Sequence, residues 1–600
     1  MVRDRRSTWF GRAVGAVDRR MRWDKLPWPL GFVLLAGLRG ELRRANLYDT
    51  DSTAPVRGAV PPEPDERPVN VRTIDGTFND LDDPAMGSVG CRFGRNVPLE
   101  HTHPEPQSTL LTPNPRVVSR ELLTRETFRP ATTLNVLAAA WIQFEVHDWF
   151  SHGKSDWETA WELELADGDP WPERPMRIPR ARADPSHVDG RSPPTWTTGD
   201  SHWWDGSQIY GSTKQFATMV RSNEGGKLAV GADGLPPREH EAQLDLSDVA
   251  GNFWLGLGLL HVVFTLEHNA ICDRLRQTYS TWSDDQVYDR ARLINAALMA
   301  KIHTVEWTPA VIAHPTTQRA MRVNWYGLLG RRMRRHLGSL RAGDILTGIP
   351  GSSTDHHGVP YSLTEEFTAV YRMHPLLPDE FVFRSSADDS ILEERTFPEI
   401  DALHTRARLE ALSMPHALYS LGVAHPGAIE LHNYPRFLQH LERPDGTILD
   451  LAATDILRIR ERGVPRYNQF RRLFRLSPAK TFEDLTPNVE WQEELRRVYD
   501  GDVDSVDLMI GLYAEKPPKG FGFSDTAFRV FILMASRRLK SDRFFTVDYT
   551  PEVYTPEGLA WIDENSLVTI LLRHFPQLEP ALCRTDNAFA PWTRVSDQAA

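Results

Sequence analysis

The segment Ser362-Leu-Thr-Glu365-Glu-Phe-Thr-Ala-Val-Tyr371-Arg-Met-His374-Pro375 places a phenol and an imidazole at close spacing. Ser362 and Glu365 have the spacing of a capping box, which predicts a helix starting here. On that helix Tyr371 and His374 are i, i+3 neighbours, one turn apart on one face. A neutral imidazole on a rigid helix is a good haem iron ligand, and a phenol one turn away would lie near the porphyrin edge. The same spacing also suits a buried histidine beside a core tyrosine, so a lone Tyr-x-x-His is weak.

Three further stretches could bear on such a group. In Trp141-Ile-Gln143-Phe-Glu-Val-His147-Asp148-Trp149, Gln143 and His147 share a helical face at i, i+4. Asp148 points roughly 100° away. One side could face a cavity while the carboxylate binds something else; a surface polar patch fits equally. Ser201-His-Trp203-Trp-Asp205-Gly-Ser207 alternates oxygen donors on a tight loop. With Asp148 it gives the hard oxygen set that calcium prefers, or simply an Asx-type turn. In Arg462-Gly-Val-Pro465-Arg-Tyr467-Asn468-Gln-Phe470-Arg471, the Asn468 amide oxygen could accept the free N–H of a metal-bound histidine.

In this order the four stretches resemble the haem-containing fatty-acid α-dioxygenases, relatives of cyclooxygenases in the animal-type haem peroxidase superfamily. The likeness runs over about residues 70–590. It implies haem b on His374, a radical at Tyr371, and His147 with Gln143 on the distal side. It also implies calcium on Asp148, Ser201, Trp203, Asp205 and Ser207, and Asn468 as the partner of His374. Ser201 stands where the family usually has threonine. Lys301-Ile-His303-Thr-Val-Glu-Trp-Thr308-Pro-Ala310, Asn324 to Gly330 and Ile532 to Phe545 resemble the α-dioxygenase branch. There a histidine, a threonine and an arginine clamp the substrate carboxylate; here these would be His303, Thr308 and Arg538, with Arg537 as the alternative. The implied reaction is attack of O2 at carbon 2 of a fatty acid, giving a 2-hydroperoxy acid. Asp248-Val-Ala-Gly-Asn252-Phe-Trp254 departs from the family, which has an arginine before the asparagine. A mid-chain cyclooxygenase-like enzyme, a halide-oxidising type of peroxidase and a non-catalytic haem-binding protein at a membrane surface are the competing readings.

These residues need a helical frame, and the periodicity provides one. Thr133 to Phe150, Phe253 to Tyr279, Asp285 to Trp307, Ser362 to His374 and Asp525 to Leu539 carry apolar residues at three- and four-residue spacing. Alternating strand patterns are scarce, and proline-rich loops run over 54–68 and 170–194. The expected fold is mainly α, a haem peroxidase/cyclooxygenase-like helical body with long loops and few short strands. Residues 46–600 read as one domain, since no flexible linker interrupts 70–600.

Residues 1–45 are different. They carry eleven basic side chains against four acidic ones, interleaved with Trp9, Phe10, Trp23, Trp28 and the stretch Leu30 to Leu38. Such a segment suits an anionic membrane surface, or a helix packed on the body with a solvated basic face. Arg331 to Arg341 is a second basic stretch, read as a solvated face. The chain as a whole has Lys+Arg 69, Asp+Glu 81 and a net charge of −12, which argues against general nucleic-acid binding. Cys91, Cys272 and Cys583 are too far apart in sequence for a disulfide framework, which points to a reducing compartment. The longest apolar run, Phe253 to Leu266, is shorter than a membrane span. The expectation is a cytoplasmic protein, with peripheral contact at a membrane surface as one of the two readings of residues 1–45, and with a monomer favoured but the oligomeric state left open.

Overall fold

The computed structural model describes residues 9–52 and 70–598, apart from 154, 187–191, 233, 236–252, 331–343, 402–403 and 444–445. Asp248 to Asn252, the basic stretch 331–341 and the whole of the first proline-rich loop therefore lie outside the described residues. The architecture is mainly helical. Among the described residues the strands form three two-stranded antiparallel hairpins: β1 (Asp156–Leu163) with β2 (Met176–Arg180), β3 (Glu380–Arg384) with β4 (Ile391–Thr396), and β5 (Leu441–Glu442) with β6 (Ile448–Leu449).

The helices that position the site are α1 (Trp9–Arg20), α2 (Trp28–Ala45), α3 (Leu137–Trp149), α4 (Leu255–Thr278), α5 (Asp284–Ile302), α6 (Pro315–Tyr326), α7 (Glu365–Val370), α8 (Leu451–Glu461), α9 (Tyr467–Leu473) and α10 (Asp525–Ser541). At the centre α4 packs against α3 and α5. Leu255 to Thr265 are all buried, because that stretch is apolar on every face. By length and composition α4 could cross a membrane, but it is mostly buried inside the body, and no other described helix meets those criteria. α5 starts at a capping box in which the Ser283 hydroxyl accepts from Gln286 N and the Gln286 side chain accepts from Ser283 N. α10 starts at Ser524, whose hydroxyl accepts from Ala527 N.

Two expected elements differ. The helix before Tyr371 is capped by Thr364, whose hydroxyl accepts from Phe367 N at 3.2 Å, and not by a Ser362–Glu365 box. It ends at Val370; Tyr371 is its C-cap, and His374 opens a separate 3-10 turn, His374–Leu376. Tyr371 and His374 thus do not share a helical face. Pro375 accounts for the break, since a proline disfavours helical backbone at the residue before it. In the second case α5 stops at Ile302 and the chain continues as a π-turn, His303–Trp307, before the short helix Thr308–Val311.

The N-terminal helices belong to the same body. α2 packs against α6 and α10 through an inner face that includes Leu34, Leu35, Leu38 and Leu42. Its outer face leaves Trp28, Leu30 and Val33 43%, 59% and 67% exposed.

Candidate active site

Tyr371, His303, Thr308 and Arg538 line one small cavity, closed by Trp204, Met321, Asn324, Phe367, Phe531 and Leu539. Each comes from a different element end. Tyr371 hangs from the C-cap of α7, Arg538 from the last turn of α10, and His303 and Thr308 bracket the π-turn. Single π-turns are frequent at functional sites because they re-aim side chains within a packed helix.

Arg538 has its Cζ 3.8 Å from the Trp149 ring centroid and 4.3 Å from that of Trp204. Its Nε and Nη2 are buried without a hydrogen-bond partner. Arg537 is committed elsewhere: its Nη2 donates to the Val359 and Pro360 carbonyls at 2.9 Å each, and its Nη1 to Ser362 O. Only Arg538 of the pair lines this cavity.

His303 stacks on Trp307 and meets Trp149 and Trp204 edge-on, each at 5.2 Å. Trp141 Nε1 donates to His303 Nδ1 at 3.2 Å. Nδ1 is therefore the acceptor, and the neutral ring carries its proton on Nε2. Burial, then the charge of Arg538, hold its pKa well below the usual histidine value. Tyr371 packs on Phe367, Trp149 and Phe531 at 4.4, 5.6 and 6.4 Å between ring centroids. Burial pushes its phenol above the ordinary value, so it keeps its proton.

His374 Nδ1 lies 3.1 Å from Asp455 Oδ2, and Arg372 Nη1 is 2.9 Å from the other oxygen of the same carboxylate. The carboxylate stands beside Nδ1 without the geometry of a hydrogen bond, and Nε2 is the nitrogen of His374 farther from it. Asn468, the sequence candidate for this position, is engaged elsewhere. Its Nδ2 donates to Ala479 O at 2.9 Å and Asp504 Oδ1 at 2.7 Å, and its Oδ1 accepts from Ala479 N. Asp455 comes from α8, on which Ala452, Ala453, Ile456 and Leu457 are buried with it. A single acid among those apolar residues was the signal available in the sequence. On α3, both ring nitrogens of His147 are buried without a partner, and burial pushes its pKa down to about 4. Gln143 Oε1 accepts from Trp254 Nε1 at 2.9 Å. A ring with two unbonded nitrogens on one helix, and an imidazole with a buried carboxylate beside it, suit the two sides of a haem.

Asp148, next to His147 in the chain, points into the 201–207 loop. Its Oδ1 accepts from Ser207 N at 2.6 Å and from the Ser207 hydroxyl at 3.0 Å. The Ser201 hydroxyl donates to Asp205 Oδ2 at 2.9 Å. Asp148 Oδ2 and Asp205 Oδ1 are buried and unbonded. Both carboxylates are pushed above their usual range by burial, and Asp148 further by the charge of Asp205. Arg292 Nη2 stands 3.6 Å from Asp205 Oδ2 and relieves part of that. The Trp203 ring stacks on Tyr361 at 4.5 Å and donates to Met86 O, so its backbone carbonyl is what it could offer a cation. Among the described residues no group of three or more His, Cys, Asp or Glu is placed to hold a metal. A cation here would rest on two carboxylates with hydroxyl and carbonyl oxygens.

Residues 71–588 match the family model described as animal haem peroxidase. α-Dioxygenase PIOX of Oryza sativa subsp. japonica is 38% identical over 596 residues, 96% of this chain and 94% of the relative. α-Dioxygenase 2 of Arabidopsis thaliana is 37% identical over 96% of this chain and 92% of the relative. This chain belongs to the α-dioxygenases of the animal haem peroxidase family. The crystal structure of Oryza sativa fatty acid α-dioxygenase superposes with a TM-score of 0.89 at 36% identity, over 98% of this chain and 97% of that one. A variant of that protein has a crystal structure with palmitic acid and matches equally well. The family accounts for the mainly helical fold with few short strands, and it implies haem.

Proposed function

We propose that the chain is a haem-dependent fatty-acid α-dioxygenase, adding O2 to carbon 2 of a fatty acid to give a 2-hydroperoxy acid. The observation that carries this reading is the meeting of a buried phenol, a guanidinium with two unpaired donors and two neutral donors in one cavity. A buried carboxylate needs a cation and hydrogen bonds, or its desolvation costs several kcal/mol. Nε and Nη2 of Arg538 lie on one edge of the guanidinium and fit a carboxylate bidentately. Nε2–H of His303 and the Thr308 hydroxyl supply further donors. With the head group held there, carbon 2 is the chain carbon brought nearest the Tyr371 oxygen.

A haem held by His374, with His147 and Gln143 as polar neighbours, would supply the one-electron oxidising power. Tyr371 contributes an O–H that is protonated in the resting state. Once that hydrogen is gone, the phenoxyl oxygen takes a hydrogen atom from carbon 2, so a C–H bond breaks and an O–H bond forms. O2 adds at carbon 2, and the resulting peroxyl oxygen takes a hydrogen atom back from the Tyr371 O–H, which restores the phenoxyl oxygen. The net change is insertion of O2 into one C–H bond. The aromatic wall of Trp149, Trp204, Phe367 and Phe531 keeps water from the head group.

We further assign calcium to Asp148, Ser201, Asp205, Ser207 and the Trp203 carbonyl, supported by the two unbonded carboxylate oxygens. The outer face of α2, with Trp28 under Arg319, is assigned to peripheral contact with an anionic bilayer. An oxygen-electrode trace of haem-loaded protein with a free fatty acid, followed by mass spectrometry, tests the activity. A 2-hydroperoxide or the aldehyde one carbon shorter is expected. Mid-chain oxygenation would make it cyclooxygenase-like, and no uptake would make it a haem binder.

A further inference from the structure

A second cavity lies on the far side of the head-group cavity's wall. It is lined by Phe32, Leu35 and Arg39 of α2, Asp344, Ile345 and the outer residues of α6 and α10. Met321, Asn324, Phe531, Ala535 and Ser536 line both cavities and form the partition. The free volumes, about 50 Å³ outside and about 20 Å³ inside, admit a few waters and no acyl chain. A head group at Arg538 therefore needs room for its acyl chain beyond the inner cavity, and the outer cavity across the partition is the adjoining space.

Two arginines of α2 hold the partition's polar members. Arg39 Nη1 donates to Asn324 Oδ1 at 2.9 Å, and Arg43 Nη2 donates to the Ser536 hydroxyl at 2.8 Å. Among the described residues neither arginine forms an ion pair, and Arg43 Nε is buried without a partner. The nearby carboxylate of Asp344 is already taken by Lys540 at 2.6 Å. Arg537, the other cation near Arg43, is spent on backbone carbonyls. Both α2 guanidinium groups are held below the usual arginine value by desolvation, which outweighs the more distant charge of Asp344.

We propose that Arg39 and Arg43 form a carboxylate-operated gate between the two cavities. An arriving fatty-acid carboxylate replaces Asn324 and Ser536 as their acceptor, because a charged acceptor bonds a guanidinium more strongly than an amide or hydroxyl oxygen. The partition is thereby released, and the head group passes on to Arg538, whose pocket adds His303 and Thr308. This rests on the fatty-acid reading above and adds selectivity at the point of admission: an amphiphile without a charge lacks the means to open the way.

The test is oxygen uptake with palmitate by haem-loaded full-length protein. Replacing both arginines by glutamine (Arg39→Gln with Arg43→Gln) should lower kcat/KM roughly tenfold to a hundredfold, the worth of one or two charge-assisted hydrogen bonds. The loss should fall on KM, with the Soret band and melting temperature held. Replacing both by lysine instead (Arg39→Lys with Arg43→Lys) keeps the charge and should recover most of kcat/KM. Equal kcat/KM in wild type and glutamine variant, a loss confined to kcat, or lysines no better than glutamines would each overturn the gate. Should the double glutamine variant fail to fold, Arg43→Gln alone should show a smaller loss on KM, and no loss overturns the gate. Wild-type protein without fatty-acid oxygenation would instead sink the function itself, and the gate with it.

Discussion

Tyr371 and Arg538 share a cavity and have separable tasks, so their variants should fail differently. Tyr371→Phe keeps the ring and its packing on Phe367 and loses only the O–H. Haem binding should persist while oxygen uptake disappears; sustained turnover would end the radical reading. Arg538→Ala leaves the phenol intact and removes the head group's cation, so fatty-acid affinity should drop at least a hundredfold, from ~3–5 kcal/mol for breaking a buried pair. Titration of the acid against the purified variant measures it. Asp455 yields a third prediction. Asp455→Asn removes the charge that Arg372 and His374 share, making His374 a weaker donor to iron. The haem reduction potential should rise and activity fall about 10–100-fold, the usual cost of losing such a partner. An unchanged potential would show Asp455 to be structural. Tyr371, His374, His147, His303, Thr308 and Arg538 were legible as candidates because each sits in a motif, and the structure brings four of them, Tyr371, His303, Thr308 and Arg538, to one cavity. Asp455 was hidden because it reaches His374 from a separate helix. Arg537 and Arg538 could not be told apart, since adjacent helical residues diverge by about 100° and only packing says which direction is the cavity.

At the scale of elements, periodicity located the long helices well. Where it misled, a proline or a local hydroxyl had intervened. Pro375 cut the expected helix before His374, and Thr364 reached its backbone donor in place of Ser362. The π-turn at His303 gave no sign in the sequence because it replaces a single turn inside an otherwise continuous helical stretch, too short for a periodicity to register. The 201–207 loop and α3 are tied through Asp148 and Ser207. If calcium completes that tie, Asp148→Ala or Asp205→Ala should lower the melting temperature and haem occupancy while leaving substrate preference alone. Differential scanning calorimetry with and without chelator reads this. A chelator-insensitive wild type free of calcium would reduce the site to a turn.

For the whole molecule, the expectation for the first residues was divided between membrane contact and packing on the body. α2 does the second with one face and leaves the other apolar and exposed. Serines at Trp28, Leu30 and Val33 should cut sedimentation with phosphatidylserine-containing vesicles at least about tenfold, since a fully buried apolar side chain is worth ~1.5–3 kcal/mol. Equal sedimentation would leave that face as ordinary surface. One feature of the interior also bears on the stability of the entire fold. Arg538 sits between two indole faces with donors unpaired. A protein selected for stability alone would fill that place with an apolar side chain. Arg538→Met should therefore melt higher than wild type when no fatty acid is present. Adding fatty acid should raise the melting temperature of the wild type and not that of the variant. The resting enzyme is kept under tension at one buried charge, and its substrate is what relaxes it.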